Sequence, residues 1–369
     1  MEKKIQSLLI IVALLVVAGV AVVALNAGGN AQASIATPPE KNMQTITDMA
    51  GRTVVVPHNI ERVLSTAPPS TMDIYMLAPD KLLGVNFDTS KQNGKVYMPA
   101  KYLALPNVGG WYGKTTGNYE TFITMNPDVV INCDTGVGDL ATTLKERQEK
   151  FGTLPVVGVT DARNITQYDA SIRFLGTLLG AEAQADALSE LYHRVLTPVT
   201  SRVSGIPADQ RVRVYYAEGP KGLLTDPSGS SHAELIDLAG GINVADCAIT
   251  PGMGQTPVSM EQVTKWNPEV MIVGDPTFYA AVSTDPLWKD IPAVKNHRVY
   301  LVPQSPFPWF DRPPGVNRII GIPWTAKLLY PDMFRDIDMP ALTKEFYSKF
   351  YHYDLTDDDV NNLLDPSLR

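Results

Sequence analysis

Cysteine is almost missing from this chain: 369 residues contain two, Cys133 and Cys247. Two thiols cannot build a disulfide framework. They fall in different halves of the sequence, so they are either separate buried thiols or one bridge pinning the halves together. Histidine is sparse as well. The five residues at 58, 193, 232, 297 and 352 form no H-x-H or H-x3-H pair, which argues against a bare transition metal as ligand. His232 is the one candidate metal ligand. Basic residues form no cluster in the body of the chain, and the formal net charge is −8. Nucleic acid is thereby excluded as a partner, since it demands a Lys/Arg stripe. There is no G-x-S-x-G elbow, and no G-x-G-x-x-G follows the first strand. These absences speak against a secreted α/β hydrolase and a Rossmann-type oxidoreductase, and so against an enzyme. The nearest approach to an elbow, Pro227-Ser228-Gly229, lacks the flanking glycine and reads as a turn.

Long apolar runs are absent too, except one. Lys3 and Lys4 precede residues 8–25, which hold no charged or strongly polar side chain. Such a run lies between a secretory signal and a membrane-spanning helix. Ala31-Gln32-Ala33 offers a small-x-small cleavage pattern, and no Cys follows to take a lipid. Residues 1–33 are therefore expected to be a signal peptide or a membrane anchor, and 34–44 a flexible tether. Either way the folded part is expected outside the cytoplasm.

What is present is a sentence written twice. Residues 120–132 read E-T-F-I-T-M-N-P-D-V-V-I-N, and residues 261–273 read E-Q-V-T-K-W-N-P-E-V-M-I-V. Glu, Asn-Pro and the acid keep register at an offset of 141 residues. Solenoid repeats run to about 20–50 residues, so this is the spacing of domains. Each copy predicts a short helix, a stop at the residue before proline, and a buried strand apolar on both faces, as parallel strands are.

Between the copies, residues 165–203 are helical in pattern, with Leu175, Leu178, Leu179, Leu188, Leu191 and Val195 at three- and four-residue spacings. Gly180 divides the stretch. The expected architecture is α/β: two Rossmann-like lobes with mostly parallel sheets, residues 45–181 and 205–369, joined by one long helix over 182–204, with a ligand cleft between them. In lobe one, strands are expected near 45–56, 62–66, 82–85 and 156–159. In lobe two, a strand at 211–217, a helix at 231–239 and a strand at 299–302 are expected, with closing helices at 325–329 and 342–351.

T-D-M-A-G-R-T-V-V-V-P, E-R-V-L-S, L-L-G-V, N-V-G-G, both E-x5-N-P-[DE] units, A-G-G-I-N-V-A-D and R-V-Y-L-V-P occur in this order. Together they resemble periplasmic substrate-binding proteins of the helical-backbone group. Those proteins serve ABC importers of ferric siderophores, haem and cobalamin. The resemblance covers about residues 45–335. It implies a monomeric receptor with no intrinsic cofactor, whose partners are a permease and an ATPase subunit. It also implies a role for Glu120 and Glu261, one per lobe, as docking carboxylates for the permease. Two exposed carboxylates would give a two-point electrostatic register. Both would also sit where a helix dipole favours an acid.

Ligands of open α/β folds sit beyond the carboxyl ends of the strands. Candidate contacts in lobe one are Pro69 and Ser70 at a helix start, Phe87, and the loop holding Trp111, Tyr112 and Lys114. In lobe two they are Tyr216, Glu218, Ser231, His232, Trp309 and Arg312. The aromatic content suits an iron(III)-siderophore-type chelate, haem or a corrinoid as transported ligand. Tyr112 is a candidate phenolate ligand to metal, and Lys114 or Arg312 would meet negative charge. Trp309 and Phe310 have an alternative as packing under a Pro-rich loop, and Arg312 as the partner of Asp311 or another carboxylate. A small oxyanion such as molybdate or tungstate is the alternative cargo, held by the Ser-rich turn and helix N-termini.

Overall fold

A computed structural model describes residues 42–88, 94–135, 138–160, 164–250, 254–365 and 368. The apolar run at 8–25, its cleavage pattern and the tether up to residue 41 lie outside them. No helix among the described residues is long and apolar enough to cross a membrane.

The described chain opens with β1 (Met43–Thr47) and β2 (Thr53–Pro57), paired antiparallel. Asp48 closes their turn, its Oδ1 accepting from Ala50 N at 3.1 Å and Arg52 N at 2.9 Å. An Asp at such a position mimics a backbone turn, which is why this segment is legible locally. Then come β3 (Val63–Ser65), α1 (Pro68–Leu77), α2 (Tyr119–Thr124), β4 (Val129–Cys133), α3 (Leu140–Phe151) and β5 (Val156–Val159). The three strands form one parallel sheet in the order β3-β4-β5. Every residue of β4 and β5 is buried, because crossover helices cover both faces of a parallel sheet.

Two helices follow, α4 (Tyr168–Leu179) and α5 (Glu182–Val203). Gly180 separates them at φ 61, a conformation that disfavours any side chain. A Cβ on Gly176 would lie 2.3 Å from Ala185 Cβ, so its absence lets the two helices meet. The 22-residue α5 runs through Pro198 without ending and leads into the second sheet. Lobe two holds β6 (Arg213–Ala217), β7 (Leu224–Thr225), α6 (Glu234–Leu238), β8 (Ile242–Asn243), β9 (Thr256–Pro257), α7 (Met260–Trp266), β10 (Val270–Val273), α8 (Pro276–Val282) and β11 (Val299–Leu301). Four of its strands are parallel in the order β11-β10-β6-β8, and β7 pairs with β9 antiparallel. The chain closes with α9 (Gly321–Leu329), α10 (Met339–Phe350) and α11 (Asp357–Leu363).

The two copies of the repeated sentence feed the central strands of separate sheets, and the structure shows what they do. Asn126 and Asn267 sit at φ 49 and φ 48. The following proline bars the right-handed helical region, and Asn tolerates the left-handed one. The acid of each copy then clasps the neighbouring strand. Asp128 Oδ2 accepts from Glu61 N at 2.7 Å and Arg62 N at 2.9 Å. Glu269 Oε2 accepts from Arg213 N at 2.9 Å. Arg62 donates back to Asn126 O at 2.8 Å, and Arg213 to Trp266 O. The repeat is thus a register lock for β3–β4 and for β6–β10.

One continuous hydrophobic core runs from lobe one through α1, α4 and α5 to α9 and α10. Tyr75 of α1 donates to Tyr351 O at 2.6 Å, so the C-terminal helices pack back on the first lobe. Smaller cores lie around Phe122 and Leu144 in lobe one and around Met271 and Trp288 in lobe two. Cys133 and Cys247 are free thiols, and burial pushes Cys133 up to about 11. Three sequence expectations need adjusting. Residues 82–85 make only isolated bridges, Val63–Leu82 and Val85–Asn107. The helix expected from Ser231 starts at Glu234, because Ser230 Oγ accepts from His232 N at 3.2 Å and holds a turn there. The helix α11 was not expected at all.

Candidate functional site

Lobe two presents a charged cluster beyond the carboxyl ends of its strands. Glu218 follows β6 and pairs with Leu224, its N–H 2.8 Å from Leu224 O. This turn aims a carboxylate that is 2% exposed at Arg312, which lies in the segment after β11. Arg312 Nε and Nη2 donate to the two oxygens of Glu218, the second at 3.1 Å, and Nη2 also donates to Asp226. Asp311 Oδ2 stands 3.6 Å from Arg312 Nε, and Asp311 accepts from His232 Nδ1 at 2.8 Å. Asn243 of β8 donates to Asp226 O at 2.9 Å and so fixes the loop that carries that acid. Arg312 adopts φ 63. A non-glycine residue there is strained by roughly 1–2 kcal/mol, and the ion cluster supplies the compensation.

Burial alone would lower the Arg312 pKa, but the Glu218 hydrogen bonds and the neighbouring acids raise it overall. Burial pushes the Glu218 carboxyl up, and the hydrogen bonds and charge of Arg312 pull it back down. Asp226, His232 and Asp311 offer ligand atoms within 4.8 Å of one another. Asp226 is already engaged by Arg312 and Asp311 by His232. The set therefore fits an ion-pair network better than a cation site.

Lobe one presents the opposite arrangement. Trp111 N donates to Thr66 O at 2.8 Å, immediately beyond β3. The Trp111 ring lies 4.5 Å from Tyr119 and 5.3 Å from Phe122, centroid to centroid. Arg147 of α3 lays its guanidinium over that ring at 4.5 Å. Arg147 is 8% exposed, and its Nε and Nη1 have no hydrogen-bond partner among the described residues. Burial lowers its pKa. The guanidinium borders a cavity of about 390 Å³ shared with Tyr112, Thr115, Tyr119, Thr135 and Thr143.

Two more cavities complete the region. One of about 460 Å³ lies between Asp134 and Asn164 of the first lobe and Gly229, Ser231 and Glu234 of the second. One of about 190 Å³ lies against Tyr216, Gln255, Gln304 and Arg312. A buried strut ties the lobes beside them. Arg318 is wholly buried, and donates to Tyr168 Oη at 2.9 Å and Ser231 O at 2.8 Å.

Several sequence-predicted contacts belong elsewhere. Pro69 and Ser70 are buried in α1, where Ser70 Oγ meets Ser65 Oγ at 2.7 Å. Pro68 and Pro69 begin this helix, and proline has no N–H to offer an anion. Trp309 is fully buried and donates to Tyr347 Oη at 3.1 Å. Tyr216 is 2% exposed, with its ring against Phe310 at 4.7 Å, and only borders the smallest cavity. Tyr112 Oη donates to Asn86 O, burial raises its pKa, and the residue borders the cavity of about 390 Å³. Phe87 is half-buried edge-on to Phe307 at 5.1 Å. Lys114 is exposed. Glu218, Ser231, His232 and Arg312 do come together around the lobe-two cluster. Glu120 and Glu261 are exposed in the first turns of α2 and α7.

Sequence reasoning missed Asp226, Arg318 and Arg147. A signal for Arg147 existed. Leu140, Leu144 and Phe151 mark the apolar stripe of α3, and Arg147 falls on it at helical spacing.

Residues 64–306 match the family model described as periplasmic binding protein. The chain is 28% identical over 328 residues to the molybdate-binding protein MolA of Haemophilus influenzae, covering 83% of this chain and 90% of that one. It is 26% identical over 294 residues to the uncharacterized ABC transporter substrate-binding lipoprotein YvrC of Bacillus subtilis, covering 79% and 87%. Among solved structures, an ABC transporter solute binding protein from Sulfurospirillum deleyianum superposes with a TM-score of 0.80 at 34% identity, covering 87% of this chain and 98% of that one.

Proposed function

The chain belongs to the periplasmic binding protein family, the substrate-binding components of ABC importers, and on that premise we propose that its own cargo is a compact oxyanion of the molybdate type. One observation carries this choice over a ferric siderophore, haem or corrinoid. A flat chelate needs a broad apolar wall. The aromatic residues available for one in lobe two, Tyr216, Trp309 and Phe310, are packed into the core. The cavity at Trp111 sets Arg147 and three threonines beside its aromatic residues, and the other two are lined mainly by hydroxyl, amide and carboxylate side chains with Arg312. The Haemophilus influenzae relative, a molybdate-binding protein, supports the same choice.

Binding is read by thermal shift and calorimetry with molybdate, tungstate and sulfate, against a ferric siderophore, haem and cobalamin. A ligand that binds only the folded state at 100 times its Kd adds about 2.7 kcal/mol of stability. The oxyanions should raise the melting temperature. A shift with the chelates and none with the oxyanions would refute the assignment.

In this reading, Glu120 and Glu261 meet basic residues of the permease, one from each lobe. Their exposure and matching positions in α2 and α7 support that role. Glu120→Lys with Glu261→Lys should abolish uptake into cells while leaving ligand affinity unchanged. A parallel loss of affinity would count against docking.

A further inference from the structure

We propose that Arg147 and Trp111 form the anion-binding subsite of the ligand site, its lobe-one half. The inference rests on the binding role above and narrows it to particular atoms.

Arg147 is 8% exposed, yet Nε and Nη1 find no acceptor among the described residues. Arginine cannot shed its charge, so a buried guanidinium without an acid is costly. Trp111 supplies one face of compensation at 4.5 Å, where the ring face attracts the cation. That stack also fixes the plane of the guanidinium, and Arg147 borders the cavity. The surroundings match an oxyanion. Thr135 and Thr143 bring hydroxyl donors to the same cavity of about 390 Å³. Glu146 also borders this cavity; it is exposed, makes no hydrogen bond to Arg147 among the described residues, and its charge partly offsets the burial of the guanidinium. The place is right as well. Trp111 is anchored to Thr66 just beyond β3, and Thr135 lies two residues beyond the end of β4. The carboxyl ends of parallel strands are where this architecture takes its ligands.

The test uses Arg147→Met and Arg147→Lys with sodium molybdate, a ferric catecholate siderophore and cobalamin, read by calorimetry and by Trp fluorescence. Arg147→Met should bind molybdate roughly 10–100-fold more weakly, the loss expected when hydrogen bonds to a charged group are removed. Its ligand-free melting temperature should hold or rise, since a buried cation has been exchanged for an apolar chain. Arg147→Lys keeps the charge without the fork. It should also bind more weakly than wild type, and it carries the test if the Met variant does not fold. Wild-type molybdate affinity in both variants would overturn the subsite and leave the oxyanion assignment standing. If wild type ignores oxyanions but binds the catecholate, and Arg147→Met loses it, the subsite is upheld and the oxyanion assignment falls. Wild type binding neither anion would overturn both.

Discussion

Arg312 in lobe two is half-buried and Arg147 in lobe one is buried, and the two are treated in opposite ways. Arg312 in lobe two is gripped by both oxygens of Glu218 and by Asp226, with Asp311 close behind. Arg147 in lobe one has an aromatic face beneath it and no hydrogen-bond acceptor for Nε or Nη1 among the described residues. A charge neutralised from within belongs to the architecture. It holds a strained backbone at Arg312 and binds the segment after β11 to the loops after β6 and β7. A charge without a hydrogen-bonded acid rests on the Trp111 ring instead. The contrast separates a residue that keeps the protein folded from one suited to meet cargo.

The largest expected effect tests that contrast directly. Arg312→Met strands the carboxylates of Glu218 and Asp226, and breaking a buried pair this way costs about 3–5 kcal/mol. Urea unfolding should show that loss for Arg312→Met and none for Arg147→Met. Equal losses would erase the distinction between the lobes.

Asp73 sharpens the comparison, because a carboxyl can do what a guanidinium cannot. It is fully buried in α1, neither oxygen has a hydrogen-bond partner among the described residues, and burial raises its pKa to about 8. In the unfolded chain an Asp titrates near about 3.9. Between those values the native state holds a proton that the unfolded state has released, so stability falls as pH rises. The contribution is fully present below about pH 4 and is lost progressively up to about pH 8. Wild type should lose about 1–3 kcal/mol between pH 6 and pH 8, on a slope of at most about 1.4 kcal/mol per unit. Asp73→Asn should flatten the profile in denaturant titrations. A variant as pH-sensitive as wild type would show that Asp73 is already ionised.

The smallest effect lies in the repeated clasp. Asp128 is 5% exposed and accepts two backbone N–H groups, whereas Glu269 is exposed and accepts one. Asp128→Ala should cost about 1–3 kcal/mol and Glu269→Ala under about 1 kcal/mol. Equal costs would mean the two copies carry the same load despite their different burial.

How much of this was legible follows from the range of the interactions. The Asn-Pro-acid copies and the Gly180 stop are local chemistry, and each falls where the pattern puts it. The site was harder. Glu218, Ser231, His232 and Arg312 were found as residues near strand ends. Pro69 and Ser70 read as cleft contacts because they open a helix after a strand, and Trp309 because its loop is aromatic, and no local rule says which way such segments face. Arg147 was passed over inside a run of charged residues, although it sits on the buried stripe of its helix.

By itself, then, the chain's pattern determined the α/β class, the doubled helix–turn–strand unit and the long connecting helix, because periodicity and turn residues act within a few positions. Tertiary structure alone decided which charges are paired and which aromatic rings reach the cleft. Glu218 and Arg312 stand 94 residues apart and Arg318 and Tyr168 150 apart. Whether such groups meet depends on how whole layers pack, and no short stretch of sequence carries that information.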